Sequence, residues 1–313
     1  PVVGGVLVGF VGWRWTFFLY LPLGLVCLTL VALWVPKLPT MSGRIDFLSA
    51  LVSLIAVLAV VFSVQQGPDL GWPLWLWALL VLGLVAAAVF IRLQKTASRR
   101  GAEALVPLDL FQHRNFSLGL FAVAMLGFTV YAVNLPIMLY LQESAGLTSQ
   151  AAGLLLVPMA VISMFIAPVI GRITDRVSPG GVSILGFSSL ISSMVLFGIF
   201  MFLEVPAAWM LVPIILLGAA NGLCWSPNST ISMRDLPPHL VGAASGVYNT
   251  ARQVGAVLGA ASLGAVMQIA GQHFSLHSVM GAAMLFPVLF LVCGLIAVAN
   301  FQAHPRVVST AKP

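Results

Sequence analysis

The feature that most constrains this sequence is a succession of apolar runs separated by short stretches of charged residues, glycine and proline. An apolar run of about 20 residues, coiled as an α-helix, is long enough to cross the hydrocarbon core of a bilayer. A partial run over residues 1–11 is followed by nine full ones, at 16–35, 46–64, 74–93, 116–141, 150–170, 181–203, 207–230, 241–270 and 278–300. The sequence therefore predicts an all-α polytopic membrane protein.

Composition excludes an ordinary soluble domain. Hydrophobic residues make up 60% of the chain and charged residues only 7%, whereas about 25% of the residues of a soluble domain are charged. The net charge of +6 is scattered over short loops and not gathered on one face, so we expect a lipid bilayer and no nucleic acid as partner. The three cysteines lie in apolar runs without CxxC spacing and indicate neither a disulfide framework nor a metal site.

The positions of Lys and Arg predict how the chain is oriented. Alternate loops lie on opposite sides of a bilayer, and the cytoplasmic loops carry the excess of Lys and Arg. One set of alternate loops, with the C-terminal tail, holds Lys37, Arg44, Arg92, Lys95, Arg99, Arg100, Arg114, Arg172, Arg176, Arg234, Arg306 and Lys312. The opposite set holds Arg14, and Arg252 lies inside a run. We therefore expect these basic loops and the C-terminus to be cytoplasmic, in a multi-pass protein of the plasma (cell inner) membrane.

Seven stretches occur in a characteristic order and together cover nearly the whole chain. They are PVVGG, GWRWTFFLYLPLG, LDLFQHRNF, YLQESAGLTSQAAGLLLVP, GRITDR, GAANGLCWSPN and HLVGAASGVYNTARQVGAVLGAA. In this order they resemble the major facilitator superfamily, and specifically its 14-helix drug/proton antiporter branch. In that superfamily each six-helix half carries a Gly-x-x-x-Asp-Arg loop after its second helix. Four apolar runs separate the WRW run from Gly171, so the resemblance implies an inserted helix pair.

This register implies a partial major facilitator fold and an N-terminally truncated chain, with helices 1 to 4 and part of helix 5 absent. Residues 1–36 would be the remnant of the N-terminal bundle, namely the end of helix 5 and helix 6. Residues 37–94 would be the inserted hairpin of helices 7 and 8, and residues 95–115 a cytoplasmic linker. Residues 116–302 would form the complete C-terminal six-helix bundle, and residues 303–313 a cytoplasmic tail.

The first motif is formed by Pro1, Gly4 and Gly5. Small residues and proline at such spacing are typical of generic packing between spanning helices. Placed just before the WRW run, they resemble the tail of the antiporter motif of helix 5.

The second motif, GRITDR, predicts a tight cytoplasmic turn between two helices and comprises Gly171, Arg172, Asp175 and Arg176. Arg172 and Asp175 are three residues apart and would pair if the turn were helical. The resemblance implies a latch, or gate, between the two bundles on the cytoplasmic side. The alternative is a solvated loop that only follows the charge bias of cytoplasmic loops.

Arg252 is the one basic residue predicted at membrane depth. It lies about 16 Å along its run by helix rise, where exposure to lipid costs about 2.5–3.5 kcal/mol on insertion scales. We therefore expect it to face protein or a water-filled cavity, with Asn249 and Gln253 beside it on a polar stripe, while Gly255 and Gly259 form a GxxxG packing motif. Two roles stay open: a structural cap on the carbonyls of a neighbouring helix, or a charge that acts on substrate or protons.

Tyr131, Asn134 and Asn221 are further polar residues at membrane depth. They would either line a central cavity or join helices through hydrogen bonds. None of the nine full runs carries a mid-membrane Asp or Glu, and a proton-coupled pump needs a titratable group at depth. The resemblance implies that the proton-coupling residues lie upstream of Pro1.

The resemblance thus implies a secondary active transporter that exports lipophilic, often cationic compounds in exchange for protons by alternating access, without a cofactor or metal and as a monomer. Export of a specific metabolite or natural product on the same fold stays open. An intramembrane enzyme would need a nucleophile, an acid/base pair or a metal cluster at depth, and a non-transporting scaffold has no use for a buried Arg. We expect neither.

Overall fold

The computed structural model describes residues 12, 14–34, 46–97, 104–174, 179–271 and 273–302. Over these residues the chain is almost entirely helical and contains no strand. The helices are α1 (Arg14–Phe18), α2 (Tyr20–Trp34), α3 (Phe47–Leu70), α4 (Leu74–Lys95), α5 (Arg114–Ala132), α6 (Asn134–Leu139), α7 (Ser149–Leu155), α8 (Val157–Thr174), α9 (Pro179–Phe202), α10 (Leu211–Met233), α11 (Val241–Gly271) and α12 (Leu276–Ala299). Three short 3-10 turns lie at Leu108–Gln112, Ala207–Met210 and Pro238–Leu240, and a π-turn at Tyr140–Ser144.

Eight stretches of the described chain are helical, long enough and apolar enough to cross a membrane. They are Phe47–Gly67, Leu74–Lys95, Arg114–Ser144, Ser149–Ile173, Gly180–Phe202, Ala207–Met233, Pro238–Gly271 and Leu276–Ala299. Each coincides with one of the nine runs predicted from the sequence. The remaining run, 16–35, is divided at Leu19 into α1 and the shorter α2. The predicted class, an all-α polytopic membrane protein, is confirmed.

The sequence predicts a single helix for each spanning stretch, but two of the stretches are interrupted in the structure. Turns at Val133 and Leu156 separate α5 from α6 and α7 from α8. Each turn comes shortly before a proline, Pro136 or Pro158. Proline has no backbone N–H to donate and its ring crowds the carbonyl four residues earlier, so the helix bends or breaks there.

The six stretches from α5 to α12 form one bundle. In it α5 packs against α10, α11 and α12, α9 packs against α10 and α12, and α8 packs against α10. The buried apolar core includes the large side chains Phe187, Leu190, Met194, Phe197 and Leu291. Because the lipid surroundings are as apolar as this core, close packing rather than exclusion of water holds such helices together.

The helices α5 and α11 pack closely against each other at glycine residues. A Cβ atom added at Gly255 would overlap the carbonyl oxygen of Ala124, and one added at Gly259 would overlap that of Phe128. On the facing helix, a Cβ at Gly127 would overlap the carbonyl oxygen of Arg252. The GxxxG spacing of α11 therefore does serve close packing, and it fixes the backbone of Arg252 against α5.

The helices α3 and α4 form a hairpin, and α3 also contacts α11. Asp46 caps the N-terminus of α3: its carboxylate accepts hydrogen bonds from the Ser49 N–H at 3.1 Å and the Ser49 hydroxyl at 2.6 Å. Gly71, at φ 67°, ends that helix in the left-handed region that suits glycine. By contrast, α2 buries none of its side chains.

The connection between hairpin and bundle is anchored at both ends. The backbone N–H of Val106 donates to the buried Gln94 side chain at 3.0 Å, next to the end of α4. Further on, Leu110 and Phe116 are buried against Leu236 and Leu240 of the α10–α11 connection. The division of the chain into an N-terminal remnant, a hairpin, a linker, a bundle and a tail stays a prediction.

Candidate functional site

A polar row runs along one face of α10. Asn221, Trp225, Asn228 and Ser232 follow one another at spacings of four, three and four residues, which places them on the same side of a helix. Asn228 and Ser232 are fully buried, while Asn221 and Trp225 are half-buried. The row faces α5 and α11, and it forms the centre of the site.

Asn228 joins three helices. Its amide nitrogen donates to the Tyr248 hydroxyl of α11 at 2.7 Å and to the Gly119 carbonyl of α5 at 3.1 Å. The approach of α5 depends on glycine, because a Cβ at Gly119 would overlap the hydroxyl of Ser232. The amide oxygen of Asn228 is buried, and no residue in the described part of the chain donates a hydrogen bond to it.

Arg252 follows Tyr248 by one helical turn and lies over Trp225. Its guanidinium carbon is 5.8 Å from the centroid of the Trp225 ring, a cation–π contact. The indole N–H of Trp225 donates to the side-chain oxygen of Asn221 at 3.1 Å, which holds the ring in place. Arg252 is half-buried, and its Nε is completely buried and has no hydrogen-bond partner among the described residues. The structural cap considered above is not observed: among the described residues no carbonyl accepts a hydrogen bond from this guanidinium.

Asn249 and Gln253 lie on the adjacent, exposed face of α11. The same face continues, at helical spacing, into Ala256, Ala260 and Gly264. These small residues line a cavity of about 570 Å³ between α11 and α3. Its full lining is Gln65, Ala256, Val257, Ala260, Ala261, Gly264, Ala265 and Gln268. Arg252 is therefore at the boundary between the buried and the exposed face of α11.

Among the described residues, Tyr131 and Asn134 form no hydrogen bond with this centre. Both side chains are exposed, and the Asn134 amide donates to the Val130 carbonyl of its own stretch at 3.0 Å. Asn221 likewise bonds within its own helix, to Trp225. Within the described chain, these three residues join no two helices by a hydrogen bond. That role belongs to Asn228, which the sequence analysis does not single out.

The remaining predicted site residues are those of the GRITDR motif and of the N-terminal motif. Gly171 and Arg172 belong to the last turn of α8 and not to the connecting turn, a place where a basic side chain is favoured by the helix dipole. Pro1, Gly4, Gly5, Asp175 and Arg176 lie outside the described residues.

At the predicted outer end of the bundle, Glu204 joins the α9–α10 connection to the start of α12. One of its carboxylate oxygens is 2.9 Å from Nδ1 of His277. The other ring nitrogen of His277 lies 3.0 Å from the hydroxyl of Ser275. Among the residues that the structure describes, no group of three or more His, Cys, Asp and Glu side chains is placed to hold a metal ion.

In the part of the chain that the structure describes, the membrane-spanning helices enclose a charged and polar centre at membrane depth, which defines a polytopic membrane protein with an intramembrane polar site. The chain belongs to the Major Facilitator Superfamily, whose family model matches residues 45–260.

Individual relatives agree with this assignment. An uncharacterised MFS-type transporter of Mycobacterium tuberculosis is 38% identical over 267 residues, which are 85% of this chain and 46% of that protein. The multidrug resistance protein Stp of Mycobacterium tuberculosis is 29% identical over 276 residues, 85% of this chain and 49% of Stp. A tetracenomycin C resistance and export protein of Streptomyces glaucescens is 29% identical over 275 residues, with coverages of 85% and 49%. The chain spans about half the length of these relatives.

Proposed function

We propose that the chain contributes one bundle and an accessory hairpin to a secondary active transporter of the 14-helix branch, which exports a lipophilic small molecule by alternating access. The observation that carries this proposal is the exposed face of α11, on which Asn249 and Gln253 lie at membrane depth beside Arg252. Polar side chains at this depth are costly against lipid, so such a face belongs against water, cargo or a second bundle. Transporters of this kind bind cargo near the midplane between two such bundles.

The energy source in this proposal is the proton gradient, and no cofactor takes part. The protein is a monomer of the cell inner membrane with its C-terminus in the cytoplasm, as the distribution of Lys and Arg favours. It carries out transport and no enzymatic reaction. The GRITDR motif, which begins in the last turn of α8, acts as the cytoplasmic latch between bundles.

The cargo in this proposal is a lipophilic small molecule, and the names of two relatives support resistance and export as the role of such a transporter. One is named for multidrug resistance and another for resistance to and export of tetracenomycin C. The second name favours the alternative that the protein exports one natural product. The family resemblance implies lipophilic cations among the cargo. Such cations would bind away from Arg252, because the like charge of its guanidinium repels them.

Transport into vesicles tests the proposal directly. The protein, in its complete natural form, is reconstituted into liposomes and a lipophilic fluorescent dye is added after a pH jump. We expect uptake or release of dye that depends on the sign of the pH gradient and stops when a protonophore removes it. Dye movement that is the same with and without the gradient, or absent for a broad panel of lipophilic compounds, would overturn the proposal.

A further inference from the structure

The guanidinium of Arg252 is held in place, but its N–H groups have no hydrogen-bond acceptors among the described residues. Its contact with the Trp225 ring fixes its position, and the hydrogen bond from Trp225 to Asn221 fixes that ring in turn. Among the described residues the guanidinium donates no hydrogen bond, and its Nε is shielded from solvent. A buried donor without an acceptor is costly, and such a group in a folded protein calls for an explanation, of which a bound partner is one.

No carboxylate of the described chain neutralises this charge. The acidic residues with described side chains are Asp46, Asp109, Glu143, Glu204 and Asp235. Each lies at an end of a spanning stretch or in a connection between two of them. Asp46 caps α3, Glu204 contacts His277, and Asp235 accepts a hydrogen bond from Asn115. Among the described side chains, no carboxylate therefore lies at membrane depth beside Arg252.

A fixed guanidinium beside an indole ring is suited to one class of ligand. The planar guanidinium presents paired N–H groups that match both oxygens of a carboxylate or sulfonate. The half-buried Trp225 ring beside it offers an apolar, aromatic surface to the rest of the molecule. A cation gains nothing here, because Arg252 already occupies the favourable position over the ring.

We propose that Arg252 and Trp225 bind the acidic group and the adjoining ring of an aromatic organic anion, which makes such anions a substrate class of the transporter. This inference rests on the proposed function, because it concerns the cargo of the same intramembrane site. Arg252 supplies the charge and the N–H donors, and Trp225 supplies the surface against which the ring lies. Asn221 is a positioning residue that holds Trp225.

Two fluorescent probes with the same ring system separate charge from lipophilicity. Anilinonaphthalene sulfonate carries a sulfonate, and phenylnaphthylamine is its uncharged counterpart. Each probe is titrated into the purified protein in its complete natural form, and into the variants Arg252→Gln, Arg252→Lys and Trp225→Phe, and binding is followed by fluorescence. Arg234→Gln is the matched control. Arg234 is exposed at the end of α10, so this substitution removes the same charge at a distant position.

We expect Arg252→Gln to weaken binding of the sulfonate by about tenfold or more, and to leave the uncharged probe unchanged. Arg252→Lys should retain part of the affinity, because it keeps the charge without the planar donors. Trp225→Phe should weaken both probes, and Arg234→Gln neither. A cooperative thermal unfolding transition in detergent reports separately that each variant is folded.

Equal binding of the sulfonate by wild type and Arg252→Gln would overturn this inference and leave the transport proposal standing. So would failure of the wild type to bind the sulfonate at all. The transport proposal fails separately, when reconstituted protein moves no compound in response to a pH gradient even though the Arg252-dependent binding is observed.

Discussion

The side-chain amide of Asn228 on α10 donates a 2.7 Å hydrogen bond to the hydroxyl of Tyr248 on α11. The same nitrogen donates to the carbonyl of Gly119 on α5. One fully buried side chain thus connects the three helices that surround Arg252, which lies one turn beyond Tyr248. The position of the charged centre depends on this connection as well as on the glycine contacts between α5 and α11.

Removing the Tyr248 hydroxyl tests the connection. Tyr248→Phe should lower the stability of the bundle by about 1 kcal/mol, the usual size of a hydrogen bond between membrane helices. Tyr131→Phe is the matched control, because that side chain is 48% exposed and makes no described hydrogen bond. The measurement is thermal unfolding of the purified protein in detergent. Equal melting temperatures for the two variants would contradict the assigned role of Tyr248.

The glycines of α11 provide a second test. Gly255→Ala should destabilise the bundle by about 1–3 kcal/mol, because the added methyl group meets the Ala124 carbonyl and forces α5 and α11 apart. Gly246→Ala in the same helix meets no atom within 4 Å. It should be neutral or slightly stabilising, since alanine favours a helix over glycine. Unfolding midpoints in detergent measure both, and a neutral Gly255→Ala would show that the two helices are not in close contact.

Asn115 provides a third test, at the predicted cytoplasmic end of the bundle. Its buried amide group donates to a carboxylate oxygen of Asp235 at 2.6 Å and exchanges hydrogen bonds with the backbone of Gln302. Asn115→Ala leaves these groups without a partner and should cost about 2–3 kcal/mol. Asn300→Ala, which removes only an exposed bond within its own helix, should cost little. The same thermal assay compares them, and similar losses would mean that Asn115 does not fasten the start of α5 to the α10–α11 connection and to Gln302.

The sequence predicts the helices well, because eight of its apolar runs are long enough to span a membrane and each is helical in the structure. It also singles out Arg252, since a charge at that depth is too costly to face lipid. It does not predict Trp225 and Tyr248 as its neighbours, because in an apolar run these side chains read as ordinary hydrophobic residues. The spacing of Asn221, Trp225 and Asn228 along one face of α10 is the sequence pattern that could have indicated the polar row. The role of Asn228 depends on how closely α5 approaches, which no pattern within α10 encodes.

The orientation predicted from Lys and Arg is tested by labelling single cysteines. Cys27, Cys224 and Cys293 are replaced by Ser, and Cys is then introduced at Thr96 or Ser144, both of which are exposed. Thr96 follows α4 and should be cytoplasmic, whereas Ser144 ends the next spanning stretch and should be outside. A membrane-impermeant maleimide added to intact cells should label only the second variant. Labelling of both variants from the same side would overturn the predicted register of the spans, and labelling of the Thr96 variant alone would mean the opposite orientation.

The most direct test of the proposed transport site is whether the face of α11 with Asn249 and Gln253 is in contact with water in the membrane. Gln253→Cys should react with a charged, water-soluble thiol reagent, and bound cargo should slow the reaction, because this face lines the transport pathway. Leu289→Cys is the control, since Leu289 is 67% exposed midway along α12 and should face lipid. We predict rapid modification at position 253 and none at position 289. If the cysteines at both positions fail to react with the reagent, this face of α11 contacts lipid or tightly packed protein. That result would contradict a transport site beside Arg252.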